Sequence, residues 1–259
     1  MDSPYARQAP SVQQTLDLFK GKWASRLPAP HQHASAGAAA LFEDERVPWA
    51  AEALASLGVA IKGAHVLELG PLEGGHTHAL SKLGAGSVTA IEAHPEAYLK
   101  CLVLKELLGM ERVNFLYGDC LEFLRAIRHR YDLAFVSGLL YHMVAPVELI
   151  EHVSLRARSV FLWTMCWDAA FCQAHPEANA GSGPAHRAEH AGFVHTLHRH
   201  DYGSNLAYGQ FWGGPANHAY WMEPDEILGA LRHFGYSRIV STTEPNPYGL
   251  ALRLAAVKD

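Results

Sequence analysis

The middle of the chain alternates between short apolar runs and longer stretches of helical composition. The apolar runs are rich in β-branched residues and predict strands near 64–69, 87–91, 113–117, 131–137 and 158–164. The stretches between them predict helices near 74–83, 95–109, 120–129 and 145–153. Because strands alternate with helices, we expect a mainly parallel sheet with helices on both faces.

The segment before the first predicted strand has a helical pattern. Apolar residues recur at helical spacing over 11–23, and a second helical stretch covers 41–57. The small-residue stretch between them has the composition of a linker. We therefore divide the chain into an N-terminal helical cap at 1–59 and an α/β domain at 60–259.

The chain after the fifth strand departs from this alternation. Residues 165–221 are rich in histidine, glycine and aromatic residues, and they predict an irregular insert before a last helix at 223–234. The final β-rich runs, 237–243 and 250–257, flank the turn-forming sequence Glu-Pro-Asn-Pro-Tyr-Gly. They predict a closing antiparallel hairpin.

Composition and charge narrow the class of protein. With 259 residues, 49% of them hydrophobic, the chain is long and apolar enough for one two-sided α/β domain. The net charge of −5 disfavours a nucleic-acid partner. The four cysteines have no paired spacing, no apolar run is long enough to span a bilayer, and no secretory signal is apparent. We expect a cytoplasmic protein without membrane association.

A glycine-rich turn follows the first predicted strand. In residues 64–80 an apolar run leads into Gly70 and Gly74 and then into a helix, an arrangement in which backbone N–H groups meet a polar ligand. A dinucleotide-binding turn needs glycine at its first, third and sixth places, and here the third place holds Leu72. Glu68, two residues before the first glycine, repels phosphate and suits an amine-bearing ligand. The turn therefore disfavours a nicotinamide dehydrogenase.

Polar residues also follow the next three predicted strands. Glu92 lies 22 positions after Gly70, where an acid at the end of the second strand can bind a ribose diol. Asp119 follows the third strand, and His142 follows the fourth. Four successive strand ends therefore carry residue types that one polar ligand would need.

These motifs resemble those of the class I S-adenosylmethionine (SAM) dependent methyltransferases. The turn is similar to the family's first motif, and further stretches resemble motifs of one subgroup, namely 18–28, 69–77, 137–143 and 220–226. That subgroup includes the tRNA wobble-uridine carboxymethyltransferases and many bacterial natural-product and sugar-pathway enzymes. The resemblance implies a Rossmann-like, seven-stranded, mostly parallel sheet with a C-terminal antiparallel hairpin strand, a helical N-terminal extension and an insert before the last helix.

The resemblance also implies SAM as the cofactor. The glycine-rich turn would bind its methionine end, and the ends of the second, third and fourth strands would bind the ribose, the adenine and the sulfonium. The residues implied for cofactor binding are Trp23, Glu68, Gly70, Pro71, Leu72, Gly74, Glu92, Ala93, Asp119, Cys120, Ser137 and Gly138.

The acceptor site is expected outside the cofactor motifs. We expect the insert at 165–221 to form a lid, and we expect most of its aromatic side chains to fill a satellite core. The alternative is a pocket whose aromatic faces attract a sulfonium by cation–π contact. The candidate catalytic residues are Tyr141, His142, Asp168, His200 and Tyr208. His142 is either a general base, with activity falling below its ordinary pKa of ~6.5, or a hydrogen-bonding wall residue.

We expect no bound metal. The chain has 17 histidines, and His198, His200 and Asp201 lie close together in sequence. No third histidine or glutamate stands at a spacing that completes a metal site. Most of the histidines are expected in a polar loop.

The favoured function is SAM-dependent methylation of a small molecule in bacterial secondary metabolism. Two alternatives are an enzyme that cyclises or cleaves SAM and releases methylthioadenosine, as azetidine-2-carboxylate synthases do, and a non-catalytic SAM-binding module. An RNA substrate is disfavoured, because the tRNA enzymes of the subgroup carry a basic surface that this acidic chain lacks. The sequence leaves a homodimer open.

Overall fold

The computed structural model describes residues 5–175, 183–202, 214, 216–247 and 249–259. Its strands are β1 (His65–Leu69), β2 (Ser87–Glu92), β3 (Val113–Tyr117), β4 (Tyr131–Ser137), β5 (Ala157–Cys166), β6 (His186–His190), β7 (Phe193–Asp201), β8 (His218–Trp221), β9 (Arg238–Asn246) and β10 (Gly249–Val257). Its helices are α1 (Val12–Leu16), α2 (Arg46–Ser56), α3 (Gly75–Lys82), α4 (Pro95–Leu107), α5 (Cys120–Ala126), α6 (Pro146–Arg156), α7 (Ala169–Ala174) and α8 (Pro224–His233). Within these described ranges, every helix is too short or too polar to cross a membrane.

Seven strands form one sheet in the order β3-β2-β1-β4-β5-β10-β9. β1 pairs in parallel with β2 on one side and with β4 on the other, and β3 and β5 extend the parallel part outward. β10 runs antiparallel to both β5 and β9. The structure confirms the predicted mostly parallel sheet and its closing hairpin. It also places the change of strand order at β1 and β4, where open α/β sheets bind ligands.

The central strands are buried on both faces, which is why they read as continuous apolar runs. Val66, Leu67 and Leu69 of β1 have no exposed surface. One core lies under α2, α3 and α4 and includes Phe135 and Phe161, whose rings stack with centroids 4.6 Å apart. The other core lies under α5, α6 and α8. The sheet is therefore covered on both faces, as the alternation of elements predicts.

The N-terminal segment differs from the helix predicted over 11–23. α1 ends at Leu16, and a single 3-10 turn follows it. Lys20 is no longer helical and Gly21 has a φ of +75°, so the helix cannot continue. Trp23 turns into the core under α2 to α4, and its indole N–H donates to the Leu16 carbonyl oxygen at 2.8 Å. The segment before β1 thus packs directly against the face of the sheet.

Part of the insert at 165–221 is regular, which corrects the prediction of an irregular segment. β5 extends to Cys166, α7 follows it, and β6, β7 and β8 form a second, antiparallel sheet. The buried residues of β7 are His195, Leu197 and His198. Because two of these buried residues are histidines, β7 lacks the alternation of apolar and polar residues by which a strand is recognised in a sequence.

Candidate functional site

A cavity of about 520 Å³ opens at the carboxyl ends of β1, β2, β3 and β4. The predicted cofactor-binding residues that line it are Gly70, Pro71, Leu72, Glu92, Ala93, Asp119, Cys120, Ser137 and Gly138. Tyr141 and His142 of the predicted acceptor side line it as well. Trp23, Glu68 and Gly74 are not part of the lining. The fold therefore brings most of the predicted strand-end residues to one place.

The turn after β1 takes a left-handed backbone at three positions. Gly70, Leu72 and Gly74 have φ values of +73°, +56° and +76°. For a residue other than glycine this conformation costs on the order of 1–3 kcal/mol, so the surroundings must hold Leu72 in place. Its N–H donates to Glu92 Oε2 at 3.0 Å, and its carbonyl oxygen accepts from Cys101 Sγ at 3.2 Å. The Glu92 carboxylate therefore shapes the turn as well as lining the cavity.

Glu68 lies beneath the turn and does not reach the cavity. It is 1% exposed, its Oε2 accepts from Thr77 Oγ1 at 2.5 Å, and its Oε1 has no partner among the described residues. Burial raises the pKa of Glu68 to about 8, and the hydrogen bond from Thr77 only partly offsets this. The carboxyl is protonated at neutral pH, so it lacks the negative charge that the sequence suggested for binding an amine.

A buried ion pair that the sequence analysis missed ties the N-terminal segment to the turn. Glu73 is 1% exposed and accepts from the backbone N–H groups of Ala24 and Ser25 at 3.0 and 2.9 Å. It also accepts from Lys100 Nζ at 3.1 Å, and the same ammonium donates to the Lys22 carbonyl oxygen at 2.6 Å. The partners lie far from Glu73 in sequence, so no local pattern predicts this pairing.

Replacing Lys100 by Met should destabilise the protein. Glu73 would keep two backbone donors but lose its counter-ion, and we expect the free energy of unfolding in urea to fall by about 2 kcal/mol. Lys22→Met is the matched control, because the side chains of the Lys22–Glu96 pair are 62% and 25% exposed. Such exposed pairs contribute roughly 0.2–1 kcal/mol. Equal losses in the two variants would contradict a special role for the buried pair.

Arg46 brings a positive charge to the cavity wall at the end of β4. Its guanidinium lies over the Trp163 ring, with Cζ 3.7 Å from the ring centroid. Nη1 donates to Ser137 Oγ at 3.2 Å, and Nε lies 3.5 Å from Asp44 Oδ2. A guanidinium held in this way suits a carboxylate or another anion in the cavity. Only the fold brings residue 46 beside residue 137, so no local sequence pattern predicts this contact.

Tyr141 and His142 lie side by side on the 3-10 turn after β4, with ring centroids 4.0 Å apart. Trp163 and Trp221 contact the Tyr141 ring edge-on, at centroid distances of 6.2 and 6.0 Å. On its other side, His142 Nδ1 lies 2.6 Å from Tyr202 Oη. Aromatic side chains therefore surround the two acceptor-side residues that the sequence placed here.

Burial changes the acid–base chemistry expected for His142. Loss of solvation, with His200 nearby, lowers the pKa of His142 to about 4. The ring is neutral across the neutral pH range, so this residue gives no reason for an inflection of activity near ~6.5. Below that pH the His142 ring is protonated in the unfolded chain, whereas in the native state it stays neutral down to about pH 4. His142 therefore makes the native state less stable as the pH falls between these values.

The structure does not bring Asp168 and His200 to the cavity. Asp168 caps α7, where its Oδ1 accepts from the N–H groups of Ala170 and Phe171 at 2.9 and 3.2 Å. His200 lies on β7 and stacks on Trp221, with ring centroids 4.7 Å apart. An aspartate before a short helix is a common N-cap, and this explains Asp168 without catalysis. The remaining candidate, Tyr208, lies outside the described residues.

No protein-family model matches the sequence, and a search of curated proteins finds no significant match. Solved structures do match the fold. The N-terminal domain of EvdMO1, crystallised in the presence of S-adenosylhomocysteine (SAH) and D-fucose, has a TM-score of 0.70 and 18% identity, with 95% of each chain covered. A second structure, that of EvdMO1, has a longer chain, and the match covers 46% of it and 95% of this chain.

Two structures named as methyltransferases have the same fold. Magnesium protoporphyrin IX methyltransferase (ChlM) from Synechocystis PCC 6803, with bound SAH, has a TM-score of 0.58 and 16% identity over 85% of this chain and 84% of that chain. The 1,6-didemethyltoxoflavin-N1-methyltransferase from Burkholderia thailandensis has a TM-score of 0.51 and 19% identity over 85% of this chain and 82% of that chain. At these identities the likeness concerns the fold. The chain has the Rossmann-like fold of these structures, with a mostly parallel seven-stranded sheet and a C-terminal antiparallel strand.

Proposed function

We propose that the protein is a SAM-dependent methyltransferase that acts on a small-molecule acceptor. The observation that carries this proposal is the cavity at the carboxyl ends of the parallel strands, with Glu92 at the end of β2 and Asp119 after β3. Structures with the same fold were crystallised with SAH, which supports the same ligand here. Leu72 adds support, because it stands where a dinucleotide-binding turn needs glycine.

The residues of the cavity fit the polar parts of SAM. Glu92 would accept hydrogen bonds from the ribose hydroxyls, because each carboxylate oxygen has a lone pair beyond its bond to the backbone of Leu72 or His94. Asp119 uses Oδ1 to cap α5, which leaves Oδ2 for the adenine amino group. Arg46 would pair with the carboxylate of the methionine part.

Methyl transfer asks mainly for binding, orientation and exclusion of water. When bound, SAM supplies an electrophilic methyl group on a sulfonium. The face of Tyr141 would stabilise positive charge near the end of β4, and the aromatic wall around it would shield that charge from water. His142 would form a hydrogen bond to the acceptor and hold it against this wall.

We infer an acceptor of the kind found in bacterial secondary metabolism. Among the neighbours, magnesium protoporphyrin IX and 1,6-didemethyltoxoflavin appear in the names of the methyltransferases, and both are small molecules. The net charge of −5 gives little basis for holding a polyanion such as RNA. No observation favours cyclisation or cleavage of SAM, or a non-catalytic SAM-binding role.

SAH and SAM should stabilise the purified protein against heat, whereas NAD should not. A ligand that binds only the native state adds about 2.7 kcal/mol when it is present at 100 times its Kd. Differential scanning fluorimetry with the three ligands in parallel measures the difference in Tm. An equal shift with NAD would overturn the cofactor assignment.

The products of SAM identify the reaction. We expect SAH to form only when a small-molecule acceptor from a test mixture is present, and mass spectrometry should find the methylated acceptor. Methylthioadenosine formed without any acceptor would overturn methyl transfer in favour of cyclisation or cleavage. Tight SAM binding without any product across such mixtures would favour the binding module.

A further inference from the structure

Tyr202 is the partner of His142 at the cavity wall. It directly follows β7, is 4% exposed, and places its hydroxyl oxygen 2.6 Å from His142 Nδ1. Within the described part of the chain, the other acceptor for this hydroxyl is the carbonyl oxygen of Tyr141, at 3.5 Å. The hydroxyl has one proton, so the two contacts compete for it.

The distances favour donation to His142. Hydroxyl donors are found most often about 2.7–2.8 Å from their acceptor, and a contact at the longer distance is a weak hydrogen bond. Burial raises the pKa of Tyr202, so the phenol keeps its proton, and lowers the pKa of His142, so the imidazole stays neutral. A neutral imidazole that accepts at Nδ1 carries its single proton on Nε2.

We propose that Tyr202 is a positioning residue that fixes His142 in the tautomer protonated at Nε2, so that the wall presents an N–H donor to the acceptor molecule. The tautomer is inferred from the two distances of the Tyr202 hydroxyl, whereas its role toward an acceptor molecule rests on the proposed function. Of the two roles that the sequence leaves for His142, this one is the hydrogen-bonding wall residue. A general base would need a free lone pair on the nitrogen left for a ligand.

The neighbouring groups agree with a donor at this place. Arg46 is a donor, and the Tyr141 phenol keeps its proton because burial raises its pKa. His200, which acts on His142 from β7, is itself held toward the neutral form by burial, which lowers its pKa. The atom of the small molecule that faces His142 therefore has to be a hydrogen-bond acceptor with a lone pair, such as a carboxylate or carbonyl oxygen.

Nitrogen-15 NMR of histidine-labelled protein tests the tautomer at pH 7, without ligand and with saturating SAH. Protonated and unprotonated ring nitrogens resonate far apart, and His142→Gln identifies the signals of His142 by their loss. We expect an unprotonated Nδ1 and a protonated Nε2 in the wild type. Tyr202→Phe should convert His142 into a mixture of tautomers, whereas Tyr220→Phe on β8 should leave its signals unchanged.

A protonated Nδ1 in the wild type, or a His142 spectrum that Tyr202→Phe does not alter, would overturn the proposal. The wild-type spectrum decides the tautomer even when Tyr202→Phe fails to fold. If His142→Gln fails to fold, the signals of His142 are identified instead through the assigned backbone resonances of the wild type. Calorimetric titration of the same samples with SAH separates this test from that of the proposed function. Absence of SAH binding counts against the function, and a protonated Nδ1 in a protein that binds SAH counts against the role of Tyr202 alone.

Discussion

Glu68→Gln should make the protein more stable, and the gain should grow with pH to about 4 kcal/mol at pH 8. The native state raises the pKa of Glu68 from its ordinary 4.5 to about 8, because the carboxyl is buried. The protonated Glu68 carboxyl therefore makes its full contribution to the free energy of unfolding below pH 4.5. This contribution is lost as the pH rises through 8, because the unfolded chain releases the proton at a lower pH than the native state does. Glutamine is neutral at every pH, and its carbonyl oxygen can still accept the hydrogen bond from Thr77.

Urea denaturation at pH 5 and at pH 8 measures this effect as a difference between variant and wild type. At pH 5 the two proteins should agree within about 1 kcal/mol, because little of the Glu68 contribution is lost there. The contribution of His142 cancels, since both proteins contain it. Glu111→Gln is the control at an exposed position. Its difference in unfolding free energy from the wild type should be the same at pH 5 and at pH 8. A variant that is less stable than the wild type at pH 8 would mean that the native carboxyl is ionised.

Glu92→Ala should weaken SAH binding at least 100-fold. Hydrogen bonds to a carboxylate contribute about 1.5–3 kcal/mol each, and about 1.4 kcal/mol corresponds to a factor of ten in affinity. The substitution removes the proposed partner of two ribose hydroxyls. It also frees the N–H groups of Leu72 and His94, which now donate to this carboxylate at 3.0 and 2.8 Å. The turn would then relax away from the conformation that lines the cavity.

Isothermal titration calorimetry with SAH measures the loss, and circular dichroism checks that the variant is folded. Glu92→Gln should lie between wild type and alanine, because its amide group can accept at one position only. Glu111→Ala, an exposed acid, should bind SAH like the wild type. An unchanged Kd for Glu92→Ala would contradict the placement of the ribose at the end of β2.

The strands could be predicted because burial on both faces leaves a direct trace in the sequence. The run from Val66 to Leu69 is apolar except for Glu68, and the turn residues after it mark where the strand ends. Parallel topology then brings Glu92 and Asp119 to the same edge of the sheet. These predictions depend on neighbours within a few residues, which is the range over which sequence patterns carry information.

The missed features depend on contacts between distant parts of the chain. Glu73 binds a backbone 48 residues away, and Arg46 reaches Ser137 over 91 residues. Asp119 and Asp168 both stand directly before a helix, so the local sequence does not distinguish them. Only the fold shows that Asp119 lines the cavity and that Asp168 does not. The charge state of His142 likewise depends on burial, which its neighbours in sequence do not determine.

The segment before β1 is not an exchangeable module. Leu16 and Trp23 fill the core of the sheet, and the backbone of Ala24 and Ser25 satisfies the buried carboxylate of Glu73. A chimera with a foreign N-terminal segment would have to supply matching N–H groups at that point, or leave the buried Glu73 carboxylate with Lys100 but without its two backbone donors. Engineered variants of the cavity should therefore leave the N-terminal segment with its own sheet.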